Sequence, residues 1–180
     1  MNVSRLEKHL VELIKEEQVK LGYQRESIHL YYPLTSLNHL LKTSYDVEMM
    51  QCMLQEYGKS GKSILGELCI SHKKDRFCIL IPEEGVEYVY THTEEQEFLK
   101  DFIDAIRKHS CTIEEIQSVF NKYSDKVHFE RVAHGEFDYL LYFEDGTPDE
   151  FLYCITEEGP HMIYHRFMPE DYEDFSFSDS

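Results

Sequence analysis

Apolar residues recur at helical spacing through the first part of the chain. In the opening segment they fall at positions that share one helical face: Leu6, Leu10, Leu13, Ile14 and Leu21. This spacing predicts an amphipathic helix that begins at the capping-box pair Ser4 and Glu7 and stops at Gly22. The same period predicts a short helix over about 36–41 and another over about 46–57.

The apolar period becomes that of a β-strand between about residues 64 and 91. Three strand-like runs follow one another in this stretch, ILGELCIS, RFCILI and VEYVYTH. Turn signals separate them, HKKD over 72–75 and PEEG over 82–85. The three runs therefore predict a three-stranded antiparallel meander over about 64–91.

Two helices and four further strands are predicted after this meander. Thr93–Gln96 and Thr112–Glu115 match the capping-box pattern and predict two helices within about 93–123. Alternating apolar residues then predict a four-stranded antiparallel meander over about 126–167, and an acidic C-terminal tail follows. Its strands are expected at 126–133, 136–144, 150–156 and 161–167.

Elements in this order define an α+β fold, because strands so close in sequence pair as antiparallel hairpins. One domain over residues 1–180 is expected. The alternative is two lobes over about 1–91 and 92–180, each with helices followed by a meander. Whether the two meanders form one sheet or two is left open by the pattern.

Charge is distributed unevenly along the chain, whose formal net charge is −17. Residues 1–90 hold 11 Lys and Arg against 13 Asp and Glu, a net of −2. Residues 91–180 hold 7 against 22, a net of −15. Nucleic acids and anionic membranes bind basic surfaces, so neither is an expected partner. We expect another protein or a second copy in a homodimer, unless the charge serves solubility alone.

The N-terminus and the cysteines indicate a cytoplasmic protein. The first residues, MNVSRLEK, are charged and lack the order of a secretory signal. No apolar stretch approaches the roughly 18–20 residues of a membrane span. The cysteines are odd in number, scattered and without a C-x-x-C pair, so no disulfide framework is expected.

The segment GKSGKS over 58–63 contains the Gly-Lys-Ser ending of a phosphate-binding loop. A Walker loop requires a glycine five positions before that ending, but Glu56 and Met53 occupy the two corresponding positions. It also requires a strand before and a helix after, whereas a predicted helix precedes this segment and a strand follows it. We interpret 58–63 as a helix stop and a flexible link, and expect no nucleotide cofactor.

Counting outward from the predicted turns places cysteines beside other reactive groups. A four-residue loop before His161 puts Cys154 on the same sheet face as His161 and His165, as a diagonal neighbour. A thiol beside histidine can be reactive, so these three residues are the catalytic candidates; a buried, inert thiol is the alternative. A four-residue loop in the first meander likewise places Cys69 opposite Cys78, whereas a three-residue loop would break this register.

The ten histidines do not predict a metal site. His161 and His165 have the four-residue spacing of zinc ligands on a helix. On a strand, the same spacing separates their Cα atoms by about 13 Å, which is too far for one ion with Zn–N bonds of about 2 Å. No H-E-x-x-H pattern and no cysteine–histidine ligand spacing occurs elsewhere, so no metal is expected.

The segments YHRF over 164–167 and EDY over 170–172 supply three candidates for ligand or partner binding, Tyr164, Arg166 and Asp171. Arg166 is the only Lys or Arg after Arg131. Its guanidinium could bind an acidic group of a ligand in a bidentate pair, or one of the protein's own carboxylates. Four nearby carboxylates do not match the calcium-loop pattern and are expected to be solvated: Asp138, Asp145, Asp149 and Glu150.

Two longer segments resemble a bacterial family known only as a domain of unknown function. They are GYQRESIHLYYPLTSLNHLL over 22–41 and FLYCITEEGPHMIYHRFMPEDY over 151–172. The resemblance implies a small intracellular bacterial protein and transfers no catalytic residue.

Taken together, the sequence favours a non-enzymatic, acidic protein-binding module of the chaperone, immunity or adaptor kind. No complete catalytic signature is present, and the exposed tyrosines of a sheet suit a binding surface. Two alternatives stay open. One is an enzyme with a Cys/His/Arg site on the C-terminal sheet, and the other is a small-molecule sensor.

Overall fold

The structure is a computed structural model that describes residues 3–94 and 96–171. The chain divides into two units, residues 1–95 and 96–180, close to the alternative division at 91 and 92. The assignment of a single domain stays a prediction. Among the described residues, no helix combines the length and the apolar character that crossing a bilayer requires.

The first unit contains helices on a three-stranded antiparallel sheet. Its elements are α1 (Val3–Leu21), β1 (Ile28–Pro33), α2 (Leu34–Leu41), α3 (Val47–Lys59), β2 (Cys69–Lys73), β3 (Arg76–Ile81) and α4 (Glu83–His92). The strand order is β1-β3-β2, so β3 lies in the centre. Side chains from all four helices and from β3 form one buried core.

In the first unit, residues next to the helix ends explain where α1 stops and where α3 begins. The helix α1 ends at Leu21 because Gly22 adopts the left-handed conformation, with φ 78°, and its N–H donates to the Gln18 carbonyl over 2.9 Å. The helix α3 begins after Asp46, whose carboxylate accepts a hydrogen bond of 2.8 Å from the Met49 N–H. Both helices were predicted from their apolar spacing.

The third strand of the first meander was predicted wrongly, because VEYVYTH lies in the helix α4 and not in a strand. Val86 and Val89 are three positions apart, share one helical face, and are 2% and 0% exposed. Pro82 precedes the helix and Glu83 lies in its first turn, as helix starts favour. The third strand of the sheet is β1, from much earlier in the chain.

The predicted register of the first hairpin was also wrong. Cys69 lies opposite Leu80, and Cys78 lies opposite Ser71. The turn between β2 and β3 has two residues because Lys74 adopts a left-handed φ of 56°. The strands therefore continue to the end of the turn, and the pairing shifts by two residues.

Of the three capping boxes predicted, the described residues contain that of Thr112 with Glu115 in full. The Glu115 N–H donates to the Thr112 hydroxyl oxygen over 3.3 Å, and the Thr112 N–H donates to the Glu115 carboxylate over 2.9 Å. Ser4 lies inside α1, since that helix already includes Val3. Thr93 ends α4, where its hydroxyl donates to the Val89 carbonyl.

The second unit matches the predicted order of two helices and a four-stranded antiparallel meander. Its elements are α5 (Glu97–Ile106), α6 (Ile113–Tyr123), β4 (Val127–Arg131), β5 (Tyr139–Phe143), β6 (Leu152–Glu158) and β7 (His161–Phe167). The strand order is β4-β5-β6-β7. The α+β class is thus confirmed, with two separate sheets. Most of the acidic tail, over 172–180, lies outside the described residues.

Aromatic rings hold α5 and α6 against one face of the second sheet. The Phe98 ring lies 4.8 Å from Phe143, and the Phe102 ring lies 4.7 Å from Tyr153, both edge to face. Phe120 of α6 contacts the same two sheet residues at 5.0 and 5.3 Å. Edge-to-face pairs of this kind add to the stabilisation from apolar burial. This face of the sheet is therefore the core side.

Replacing Gly85 by alanine is expected to destabilise the first unit by about 2 kcal/mol. A Cβ atom at residue 85 would lie 2.9 Å from the carbonyl carbon of Leu65 and closer still to its oxygen. Backbone atoms cannot move away as a side chain can, so this clash outweighs the helix preference of alanine, about 1 kcal/mol. Urea unfolding measures the loss. Glu84→Ala, on the exposed side of the same turn, is the control, and an equally stable Gly85→Ala protein would contradict the packing.

Candidate functional site

The hairpin between β6 and β7 carries most of the candidate residues, and its turn is tighter than predicted. Gly159 has a left-handed φ of 59°, so Gly159 and Pro160 close the turn by themselves. His161 lies opposite Glu158, and His165 lies opposite Cys154. The predicted four-residue loop, with its diagonal placement of Cys154, is wrong, although the shared sheet face is correct.

Cys154 is a buried thiol on the sheet face that α5 and α6 do not cover. It is 1% exposed and packs with Leu140 and Leu152 in a small apolar cluster. Burial raises the pKa of the Cys154 thiol to about 12. His161 and His165 are exposed. Burial therefore favours the protonated thiol at neutral pH, as the alternative of a buried thiol expected. A catalytic role for these three residues stays a prediction.

Arg166 is held by one of the protein's own carboxylates, as the second interpretation of this residue expected. Its Nη2 atom lies 3.4 Å from Oδ2 of Asp149, and the two side chains are 4% and 3% exposed. The Tyr153 hydroxyl donates to the same Asp149 oxygen over 2.9 Å, and the Phe151 N–H donates to Oδ1 over 2.8 Å. The guanidinium also lies 4.0 Å from the centre of the Phe151 ring.

The expectation that all four nearby carboxylates are solvated is wrong for Asp149, which is buried. Its sequence neighbourhood gave no sign of burial, because the loop before β6 is polar. The residue is buried because three groups from different parts of the second unit satisfy its oxygens. This cluster of Asp149, Tyr153 and Arg166 is a structural tie between the loop, β6 and β7.

Tyr164 and Asp171 lie apart in the second unit. Tyr164 is half-buried on the core side of β7, where its ring contacts Phe102 edge to face at 5.0 Å. Asp171 is half-buried, and its N–H donates to the Met168 carbonyl over 2.9 Å. Their role in binding stays a prediction.

A groove of about 430 Å³ lies beside the β6–β7 turn, within the second unit. The start of α6 forms one wall, with Thr112 and Glu114, and the hairpin forms the other, with Glu157 and His161. Tyr139 of β5 also lines it. We call this feature the hairpin groove.

Hydrogen bonds and ring contacts fix the two walls of the hairpin groove to each other. The Ser110 N–H donates to the Pro160 carbonyl over 2.9 Å, and Ser110 has a left-handed φ of 60°. The rings of His109 and His161 lie 5.5 Å apart, edge to face. The connection between α5 and α6 is thereby held against the hairpin turn.

The hairpin groove is lined by acceptors of hydrogen bonds. The Tyr139 hydroxyl donates to Glu157 Oε1 over 2.8 Å, and this bond together with burial raises the pKa of Tyr139 above its ordinary value. The Glu157 N–H in turn donates to Asp138 over 2.8 Å. The Glu115 carboxylate accepts from the Thr112 N–H, and Glu114 and Glu115 place two negative charges in the first turn of α6, so this helix start does not favour an anion. The arrangement suits a cationic or donor group.

Sequence reasoning found His161 but missed Glu157, Glu114 and Tyr139 as neighbours of it. Glu157 was assigned to the hairpin loop, whereas it lies in β6 with its side chain beside Tyr139. The approach of α6 to the turn depends on tertiary packing, for which the sequence gives no local signal. Over residues 3–94 and 96–171, no three side chains of His, Cys, Asp or Glu converge as metal ligands would.

The chain matches one known family over most of its length. Residues 3–176 match the family described as "Domain of unknown function, E. rectale Gene description (DUF3877)". The chain belongs to this family. The predicted resemblance is thus confirmed over nearly the whole chain, and the description of the DUF3877 family carries no activity. No curated protein and no solved structure gives a significant match.

The Cys154 thiol is expected to resist modification in the folded protein. Its burial and raised pKa leave no accessible thiolate at neutral pH, whereas Cys52 and Cys69 are exposed. Treatment with a thiol reagent, followed by peptide mapping, should show rapid labelling of Cys52 and Cys69 and none of Cys154 before denaturant is added.

Rapid labelling of Cys154 in the native protein would contradict this account and support a catalytic role. The pH dependence gives a second check. An unfolded thiol ionises near 9.0 and the folded one near about 12, so folding favours the protonated form. Its contribution to the free energy of unfolding is full below pH 9 and declines as the pH rises through that window. Cys154→Ala should reduce the decline.

Breaking the buried ion pair of Asp149 and Arg166 in this DUF3877 chain should lower the stability of the second unit. Asp149→Ala leaves the Arg166 charge buried and is expected to destabilise the second unit by about 3–5 kcal/mol. The double variant Asp149→Ala with Arg166→Met removes both charges and should lose less. Chemical denaturation of the three proteins measures the difference. Lys126→Ala, which removes an exposed pair with Asp145, should change stability by less than about 1 kcal/mol. A double variant that loses as much stability as Asp149→Ala alone, or more, would contradict this interpretation.

Proposed function

We propose that this chain is a cytoplasmic protein-binding module and that its hairpin groove receives a basic segment of the partner. The proposal rests on one observation: the acidic second unit contains a groove lined by hydrogen-bond acceptors. Residues 96–180 hold 7 Lys and Arg against 20 Asp and Glu, a net of −13. Such a charge steers a basic partner toward this unit and disfavours acidic ones.

The groove offers specific contacts in addition to the general charge. Glu114 and Glu157 are exposed residues on opposite walls of the groove, and over residues 3–94 and 96–171 neither carboxylate forms an ion pair with a cation. A Lys or Arg side chain placed between them would form charge-assisted hydrogen bonds. The apolar walls at Met162 and Pro160 suit the aliphatic stem of such a side chain.

The enzyme alternative has less support from the geometry. Its proposed nucleophile, Cys154, is buried and protonated, and Arg166 is engaged by Asp149. A small-molecule sensor is the second candidate, because a groove of about 430 Å³ falls in the size range of ligand pockets. A stabilising ligand found in a thermal-shift screen, and lost when Glu157 is replaced, would favour the sensor.

Capture of partners from a lysate of the host cell tests the proposal. The full chain is immobilised, and bound proteins are quantified by mass spectrometry for the wild type and for Glu114→Lys. We expect a partner that is rich in Lys and Arg and whose recovery falls about tenfold with Glu114→Lys, because a lysine at position 114 would repel the basic side chain of the partner. Glu144→Lys is the matched control, since Glu144 is an exposed carboxylate of the same unit outside the groove.

Equal loss of the partner with Glu144→Lys would mean that total charge matters and the groove does not. Failure to recover any partner above background would contradict the proposal as a whole. Both variants should first be compared with the wild type by circular dichroism, since Glu114 lies in the first turn of α6, where a negative charge stabilises the helix by about 0.5 kcal/mol.

A further inference from the structure

The sheet of the first unit has one covered face and one open face. Phe77, Ile79 and Ile81 of the central strand β3 point into the core and are fully buried. The residues between them point the other way because successive side chains of a strand alternate. On that opposite side Tyr31 is 63% exposed, although it lies in the same sheet. The two faces of the sheet therefore differ: one is buried in the core, and the other carries a large exposed aromatic ring.

The register places nine residues of the three strands on this side, which we call the open face: His29, Tyr31, Pro33, Cys69, Ser71, Lys73, Arg76, Cys78 and Leu80. Tyr31 pairs with Cys78, and Leu80 pairs with Cys69, so the middle of the face combines a tyrosine, a leucine and two thiols with the polar side chains of His29 and Ser71. Leu80 and Cys78 are half-buried, whereas Cys69 is exposed. Apolar and aromatic side chains that remain on a sheet face in this way are typical of binding surfaces.

Two cations face each other at one end of the open face. Lys73 and Arg76 are directly opposite in the hairpin, both are exposed, and Lys74 follows in the turn. Like charges in directly opposed strand positions destabilise a sheet. Within the described residues, neither Lys73 nor Arg76 forms an ion pair with a carboxylate, and this includes Asp75 in the turn between them. The open face itself contains no Asp or Glu.

We propose that the open face binds a segment of another protein in which carboxylates accompany apolar side chains. The carboxylates would lie between Lys73 and Arg76 and relieve their repulsion, and the apolar side chains would pack on Tyr31 and Leu80. Charge complementarity selects this occupant, since the cationic end is the only part of the face with formal charge. The surface is separate from the hairpin groove and prefers the opposite charge.

A nucleic acid fits the open face less well than an acidic protein segment. A duplex carries one charge per about 1.7 Å, and its binding requires a track of many cations. Here only Lys73, Lys74 and Arg76 cluster, in a chain with a net charge of −17. Two or three carboxylates on a short segment match three cations, and a long polyanion would meet the repulsion of the remaining acidic surface.

Fluorescence anisotropy with short synthetic peptides tests the proposal on the full chain. One labelled peptide alternates Glu with Phe, a second alternates Lys with Phe, and a single-stranded oligothymidine is the nucleic-acid probe. The Lys–Phe peptide can bind only at the hairpin groove, where Glu114→Lys should weaken it, and the oligothymidine should not bind. For the Glu–Phe peptide we expect saturable binding. Arg76→Glu should weaken it by about tenfold or more, and Tyr31→Ala should weaken it without changing its dependence on salt.

Lys62→Glu is the matched control, because Lys62 is an exposed cation of the same unit, outside the open face, and its replacement changes the net charge equally. It should leave the affinity unchanged. Labelling of Cys69 by a thiol reagent should slow when the Glu–Phe peptide is bound, whereas labelling of the exposed Cys52 on α3 should not.

Three results would each overturn the proposal. They are the absence of saturable Glu–Phe binding by the wild type at low salt, equal weakening by Lys62→Glu and Arg76→Glu, and binding of the oligothymidine with the same dependence on Arg76. None of these results depends on the hairpin groove, so the open face and the proposed function can fail separately.

Discussion

In both sheets a hairpin closes through two residues because one of them adopts the left-handed conformation, Lys74 with φ 56° and Gly159 with φ 59°. A two-residue turn lets the strands pair up to its edges and fixes which side chains lie opposite each other. In the first sheet this brings Lys73 opposite Arg76, and in the second it brings Glu158 opposite His161. Both candidate binding surfaces are consequences of this register.

Burial constrains the charged and thiol side chains in the interior of the second unit. A carboxylate and a guanidinium leave water only at a high free-energy cost, which close contacts within the protein must offset. Asp149 and Arg166 meet this requirement through Tyr153, the Phe151 N–H and the Phe151 ring. The Cys154 thiol avoids this free-energy cost because it stays neutral.

The periods of apolar residues were sufficient to predict most elements, including every strand of the second sheet. They failed at VEYVYTH, where Val86, Tyr88 and Tyr90 alternate as in a strand while Val86 and Val89 are spaced as in a helix. A short run of this kind is ambiguous without its tertiary neighbours. The close approach of Gly85 to Leu65 fits the helical conformation, but no local pattern in the sequence predicts this contact.

Registers and sites were less predictable because they depend on single backbone angles and on distant contacts. A lysine in the left-handed conformation is uncommon, so a two-residue turn at Lys74 could not be read from its residue type. Likewise, the burial of Asp149 depends on Tyr153 and Arg166, which come from two different strands. The hairpin groove needs α6 beside the β6–β7 turn, a proximity that no spacing in the sequence encodes.

The opposite charges of the two proposed surfaces limit what the chain can bind through them. A second copy would offer its acidic unit to the cations near Lys73, but two molecules of charge −17 repel each other once their surfaces approach within the Debye length, about 8 Å at physiological ionic strength. The attraction at the open face comes from three neighbouring cations and is short in range. A partner with a locally acidic segment on an otherwise neutral or basic surface avoids that repulsion. The charge distribution therefore favours different proteins as occupants of the two surfaces over self-association.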